Sequence, residues 1–185
     1  MEDGQAIQCL KRGEIAGLEI LVTRYQVKAV RAAFLITRDE PLAEDVVQDS
    51  FVRFFHSVRH FDESRPFEPY FMRCVINEAL NAIKESHKWT QIEEETGFDG
   101  LQSLLIRGAP VEEQAEYNQL IGEIQSAMAK LSPRQRAVIV QRYYLELSEM
   151  EMAEALDIAP GTVKWLLNAA RSRLHRLLGT ERSAQ

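Results

Sequence analysis

The stretch Ser148-Glu149-Met150-Glu151-Met152-Ala153-Glu154-Ala155-Leu156-Asp157-Ile158-Ala159-Pro160-Gly161-Thr162-Val163 contains two helix starts separated by one break. Ser148 with Glu151 forms a capping box: the serine hydroxyl accepts the third amide while the carboxylate reaches back to the serine amide. It opens a helix of only about two turns. Asp157-Ile158-Ala159 breaks the chain, and Pro160 starts the next helix, where its missing N–H and fixed φ are no handicap. Asp157 holds a turn position that often carries glycine; aspartate visits left-handed conformations better than most residues. Across the break, Met152, Leu156, Ile158, Val163 and Leu166 are apolar at spacings with which two short helices bury each other steeply. Ala153 is small where such helices approach most closely. This is the pattern of a helix-turn-helix, whose second helix enters the major groove of DNA.

Working upstream, Ser132-Pro133-Arg134-Gln135 is another helix start with the same capping logic. That helix is expected to run through Val138, Ile139 and Tyr143 to Leu147. Before it, Glu113 to Lys130 shows Tyr117, Leu120, Ile121, Ile124 and Met128 at helical spacing. Downstream, the last helix carries Lys164, Arg171, Arg173, His175 and Arg176, opposed only by Glu181. In a groove reader the first residues meet base edges and later arginines hold phosphates. A basic run alone is equally a solvated face; the two caps and the packing register point to DNA.

The formal charge of −6 hides a division along the chain. Residues 1–60 carry 8 basic and 9 acidic groups, and residues 61–88 carry 4 and 5. Residues 89–129 carry 1 and 8, whereas residues 130–185 carry 9 and 6. The excess acid is central and the C-terminal part is basic. At 185 residues, with 45% hydrophobic and 27% charged residues, the composition is globular. No apolar run reaches the roughly 20 residues of a membrane span. The acidic start Met1-Glu2-Asp3-Gly4 lacks the blocks of a secretory signal, so the chain reads as cytoplasmic. Cys9 and Cys74 lack zinc-site spacing and read as reduced thiols, and His56 and His60 have no third ligand at a recognisable distance. With no phosphate loop, metal box or nucleophile arrangement, no enzyme activity and no cofactor are expected.

The N-terminal half reads as helices as well. Ile7, Leu10, Leu18, Leu21, Val22 and Tyr25 form one apolar stripe. Leu42, Val46, Val47, Phe51, Phe54, Phe55 and Val58 form a second. A third element from about Phe67 to Lys88 places Met72, Ile76, Ala79, Leu80 and Ile83 on one side. The fold class is therefore all-α, with two helical domains. Residues 1–89 form the first, 90–112 an acidic, glycine-containing linker with at most one helical turn around residues 101–105, and 113–180 the second.

Leu147-Ser148-Glu149-Met150-Glu151-Met152-Ala153 with Pro160-Gly161-Thr162-Val163-Lys164 and Ala170-Arg171 resembles region four of bacterial extracytoplasmic-function (ECF) sigma factors. Upstream, Ala43-Glu44-Asp45-Val46-Val47-Gln48-Asp49-Ser50-Phe51 is similar to their region-two helix. Phe67-Glu68-Pro69-Tyr70-Phe71-Met72-Arg73-Cys74-Val75-Ile76-Asn77 is similar to the promoter-melting helix after it. The resemblance implies that Glu44, Asp45, Gln48 and Asp49 grip a coiled coil on the largest subunit of core RNA polymerase. It implies that the loop from His60 to Phe67 and the start of the next helix, with Phe61, Arg65 and Asn77, capture the minus-ten strand of promoter DNA. Lys164, Trp165, Asn168 and Arg171, with Arg173 beside them, would read the minus-thirty-five element. It also implies an anti-sigma factor as a further partner.

The same residues have plainer readings. The acidic edge is also a solvated face, Phe71 reads as core, and Phe61 and Arg65 divide between core and strand capture. Three departures from the family pattern matter. Tyr70 stands where tryptophan is usual, residues 82–88 are only weakly basic, and Trp165, Leu166 and Ala169 replace small or basic residues. Trp165 either packs or touches DNA. Two other functions remain open from sequence: a sigma-like decoy that binds an anti-sigma factor, and a helix-turn-helix regulator with an unrelated N-terminal domain.

Overall fold

The computed structural model describes the backbone of residues 1–89 and 114–182, and the side chains of residues 1–85 and 121–179. The expected linker and the turn around residues 101–105 lie outside the described residues. Every regular element among the described residues is helical, and the chain divides into two units, Met1–Trp89 and Thr90–Gln185. No helix among the described residues is long and apolar enough to cross a membrane.

The first unit contains α1 (Asp3–Lys11), α2 (Ala16–Thr37), α3 (Glu40–Ser57) and α4 (Phe67–Trp89). The first apolar stripe falls on two helices, because Gly13, at φ +87°, ends α1. Its amide donates to the Leu10 carbonyl at 2.9 Å, and that of Glu14 donates to the Cys9 carbonyl at 2.9 Å. This is a Schellman closure, in which a left-handed residue turns the last amides back onto the orphan carbonyls. The return of α2 against α1 is tight: a Cβ on Gly17 would stand 2.2 Å from the Ala6 carbonyl oxygen. Between α2 and α3 the chain reverses in two residues. Arg38 is left-handed at φ 66°, and the Asp39 carboxylate caps α3 by accepting the Leu42 amide at 3.0 Å.

The core of this unit is aromatic. Phe67, buried at the first position of α4, lies 5.4 Å from Tyr25, 4.7 Å from Phe54 and 5.3 Å from Phe71, centroid to centroid. Three helices thus share one ring at their meeting point, in the offset and edge geometries that aromatic quadrupoles favour. Around the rim, Lys28 pairs with Glu68 at 2.5 Å, and Arg53 grips Glu78 through two bonds of 2.6 and 2.9 Å. Arg24 and Tyr25 both bond Asp3. Burial first, then the hydrogen bond to Asp3, pushes the Tyr25 hydroxyl up to about 12. These rim pairs orient α1 and α4 more than they stabilise them, since exposed pairs contribute about 0–1 kcal/mol each. Cys9 is buried, Cys74 is half-buried, and both are free thiols.

The second unit contains α5 (Gln114–Ala129), α6 (Pro133–Ile139), a π turn (Val140–Tyr144), α7 (Glu149–Leu156) and α8 (Pro160–Arg182). The α6 helix does not run on to Leu147, as its apolar spacing suggests. Instead the Leu145 amide reaches back five residues to the Val140 carbonyl at 3.1 Å. Glu146 comes next at φ 58°, and the Leu147 amide closes on Gln141 at 2.9 Å. A π turn holds more residues per turn than an α-helix, so it rotates its own later residues away from the α-helical register. Tyr143, four residues after buried Ile139 and expected on its inward face, is consequently 60% exposed.

Replacing Gly17 with alanine forces its Cβ against α1 backbone, which no side-chain rotation relieves. Despite alanine's better helix propensity, we expect urea unfolding of the purified chain to show a net loss of about 1–3 kcal/mol. Unchanged or increased stability would mean that α1 shifts without cost.

Candidate DNA-reading helix and polymerase-facing edge

The α7–turn–α8 segment is closed by local bonds at every joint. The Ser148 hydroxyl accepts the Glu151 amide at 3.3 Å, and the Glu151 carboxylate accepts the Ser148 amide at 2.8 Å. Bonds from Ser148, the serine hydroxyl's first, hold the Glu151 carboxyl below the usual carboxylate range. At the other end Asp157 is left-handed, at φ 52° and ψ 49°. Its amide meets the Glu154 carbonyl at 3.3 Å, and the Ile158 amide meets the Ala153 carbonyl at 3.1 Å. This is the Schellman closure of α1 again, with aspartate in the place of glycine. Met152, Ala153, Val163, Leu166, Leu167 and Ala170 are buried, while Leu156 and Ile158 are half-buried.

With that side of α8 committed to the core, its other side faces outward. Lys164, Trp165, Asn168, Arg171 and Arg173 are all exposed, Trp165 by 66%. Residues 164, 168 and 171 follow the helical repeat and share one face. Of the three unusual residues, Leu166 is buried and Ala169 half-buried, so Trp165 alone stands on the open surface. Among the described residues, Lys164, Trp165, Asn168 and Arg173 have no side-chain partner. Arg171 donates from Nε to the Tyr143 hydroxyl at 2.9 Å, and its guanidinium carbon lies 5.7 Å from that ring's centroid. Periodicity could not reveal this pair, because the π turn that creates it leaves no mark on the apolar spacing.

On α3, the inward side is Ala43, Val46, Val47, Ser50, Phe51 and Phe54, and the outward side carries Glu44, Asp45, Gln48 and Asp49, all exposed. Among the described residues none of these four side chains has a partner, while Asp3, Glu63, Glu68 and Glu78 of the same unit are paired. The edge is an unneutralised strip of three carboxylates and one amide.

The segment from 61 to 77 splits by burial. Phe61 is 8% exposed and packs 4.9 Å from Tyr70 and 5.6 Å from Phe54. Its ring faces the core and not the loop's surface, because it closes the aromatic cluster around Phe67. Arg65 is exposed and lies 3.6 Å from Asp62. Asp62 is held below its ordinary range by the Ser64 hydroxyl and amide, and Glu63 by Lys11. Lys11 also donates to the Phe61 carbonyl at 2.8 Å, tying the loop to α1. Asn77 is half-buried on α4.

Comparison with known proteins shows the family. Residues 21–90 match the Sigma-70 region 2 family, and residues 121–174 match Sigma-70 region 4. The ECF RNA polymerase sigma factor SigL of Mycobacterium tuberculosis is 31% identical over 163 residues, covering 88% of this chain and 85% of SigL. The chain belongs to the ECF sigma factors. SigW of Bacillus subtilis, another ECF RNA polymerase sigma factor, is 28% identical over 93% of this chain and 94% of its own length. A co-crystal structure of the sigma factor RpoE with the anti-sigma factor NepR from Bartonella quintana shares the fold. Its TM-score is 0.63 at 20% identity, covering 87% of this chain and 94% of that one. As a sigma factor, this chain binds core RNA polymerase and directs promoter-specific initiation. Sigma factors in general are initiation factors and not enzymes.

The left-handed turn at Asp157 sets the angle between α7 and α8. Glycine there removes the Cβ strain of an L-residue, so Asp157→Gly should stabilise the sigma factor by about 0.5–1 kcal/mol in thermal unfolding. Asp157→Val should cost about 1–2 kcal/mol or more. The reverse order would mean that the aspartate side chain, and not the backbone, holds the turn.

Proposed function

We propose that this sigma factor divides its contacts between its two units by charge. The division is carried by one observation: the unit holding α3 leaves an acidic strip unneutralised, and the unit holding α8 leaves a basic and aromatic face unneutralised. Glu44, Asp45, Gln48 and Asp49 dock on a basic surface of core RNA polymerase, where complementary charge fixes partner and register. Lys164, Trp165, Asn168 and Arg171 read the minus-thirty-five element, the first three at base edges and Arg171, with Arg173, at backbone phosphate. Arg65 and Asn77 meet the opened minus-ten strand, and Phe61 shapes the segment's floor from beneath.

In this reading residues 1–89 act as region 2, 113–180 as region 4, and 90–112 as a linker that lets both reach their promoter elements. The protein works in the cytoplasm as a non-enzymatic factor that borrows most of its DNA affinity from the polymerase. Its net charge of −6 is then no obstacle, because the phosphate-contacting part is locally basic. An anti-sigma factor is a natural further partner, as it is for the RpoE of the solved complex.

Core binding by fluorescence anisotropy and run-off transcription on a promoter library separate the roles. Joint charge reversal, Asp45→Lys with Asp49→Lys, should weaken core binding and leave the preferred minus-thirty-five sequence unchanged in whatever initiation remains. Lys164→Ala and Arg171→Ala should keep core binding and weaken use of the minus-thirty-five element, Lys164→Ala by about 1–3 kcal/mol with relaxed sequence preference and Arg171→Ala uniformly across sequences. Equal loss of core binding by both pairs would overturn the assignment.

A further inference from the structure

The Tyr143–Arg171 pair is built from two features that helix propensity alone does not require. The π turn ends α6 and turns Tyr143 outward, 60% exposed, toward α8. There its hydroxyl accepts Nε of Arg171 at 2.9 Å while the ring lies beneath the guanidinium at 5.7 Å. Arg171 has no carboxylate partner among the described residues. A carboxylate at this position would orient the arginine and cancel its charge; a tyrosine orients it and leaves the charge whole. With Nε engaged, the two terminal nitrogens meet no other group among the described residues and form a planar fork, the geometry that matches a phosphate bidentately. Arg171 lies in the third or fourth turn of α8, beyond the N-terminal residues that enter the groove, where backbone contacts are made.

We propose that Tyr143 is a positioning residue for promoter recognition: it holds Arg171 so that the guanidinium fork meets a DNA backbone phosphate beside the minus-thirty-five element. This rests on the assignment of α8 to that element and adds a residue from outside the reading helix. The fork arrives ordered, so less side-chain freedom is lost on binding.

The test uses the full chain assembled with core polymerase and promoter fragments carrying single neutral methylphosphonates across the minus-thirty-five region. The wild-type holoenzyme should lose affinity at one phosphate, and Arg171→Ala should be insensitive there. Tyr143→Phe keeps the ring and removes the hydroxyl; it should bind roughly threefold to tenfold more weakly, with unchanged sequence preference and unchanged melting temperature. Combined with Arg171→Ala it should add nothing, the signature of one coupled unit. Arg171→Lys keeps the charge but not the fork, and should make binding indifferent to Tyr143→Phe.

A Tyr143→Phe effect that multiplies with Arg171→Ala, or that shifts sequence preference, overturns the proposal. If Arg171→Ala weakens binding but Tyr143→Phe does not, the positioning role alone falls. If Arg171→Ala is itself silent, its assignment to DNA falls as well.

Discussion

The left-handed turn at Asp157 is the constraint on which the placement of α8 depends. Two amides fold back onto the last carbonyls of α7, so α8 starts at a fixed angle with Val163, Leu166, Leu167 and Ala170 turned to the core. Once those residues are committed, the helical repeat leaves Lys164, Trp165, Asn168 and Arg171 outward together. The outward face of α8, proposed to read DNA, is thus a geometric remainder of core packing. A one-residue slip in the turn would rotate α8 by about 100° and bury a different set.

The same chain uses charge in two opposed ways. In the first unit Lys11, Arg24, Lys28 and Arg53 are spent on intramolecular partners, which tie helices and loop together. The acids on α3 are left out of that arrangement. In the second unit Lys164 and Arg173 of α8 meet no carboxylate among the described residues, and Arg171 meets a neutral tyrosine instead. Unpaired charge on a folded surface is tolerable in water and becomes useful against a complementary partner. Overall net charge says little about such a molecule, since acid and base are left unpaired on different units.

Much of this is legible in the residues. Ser132, Ser148, Pro160 and Asp157 announce their caps and turn by local chemistry, and local chemistry decides them in the structure. The apolar stripes of α3 and α4 locate the core because their period survives intact. The break at Gly13 is harder to see, since the stripe resumes on α2 almost in phase. The π turn is invisible in the sequence: an aromatic residue at position 143 continues a helical pattern whether or not the backbone does. Phe61 shows a different limit, because aromatic residues suit both a strand-capturing loop and a core, and only the neighbouring rings decide. For Trp165 the reverse holds; its size suggests packing, yet Leu166 and Leu167 beside it take the buried positions.

In the proposed function one unit faces the polymerase and the other faces the minus-thirty-five DNA. The most direct measurement of that division is photocrosslinking from benzoylphenylalanine placed singly at Asp45 and at Lys164 in the full chain, assembled with core polymerase on promoter DNA. Position 45 should crosslink to a polymerase subunit and position 164 to bases of the minus-thirty-five element. Crosslinks from 164 to protein alone, or from 45 to DNA, would contradict that division.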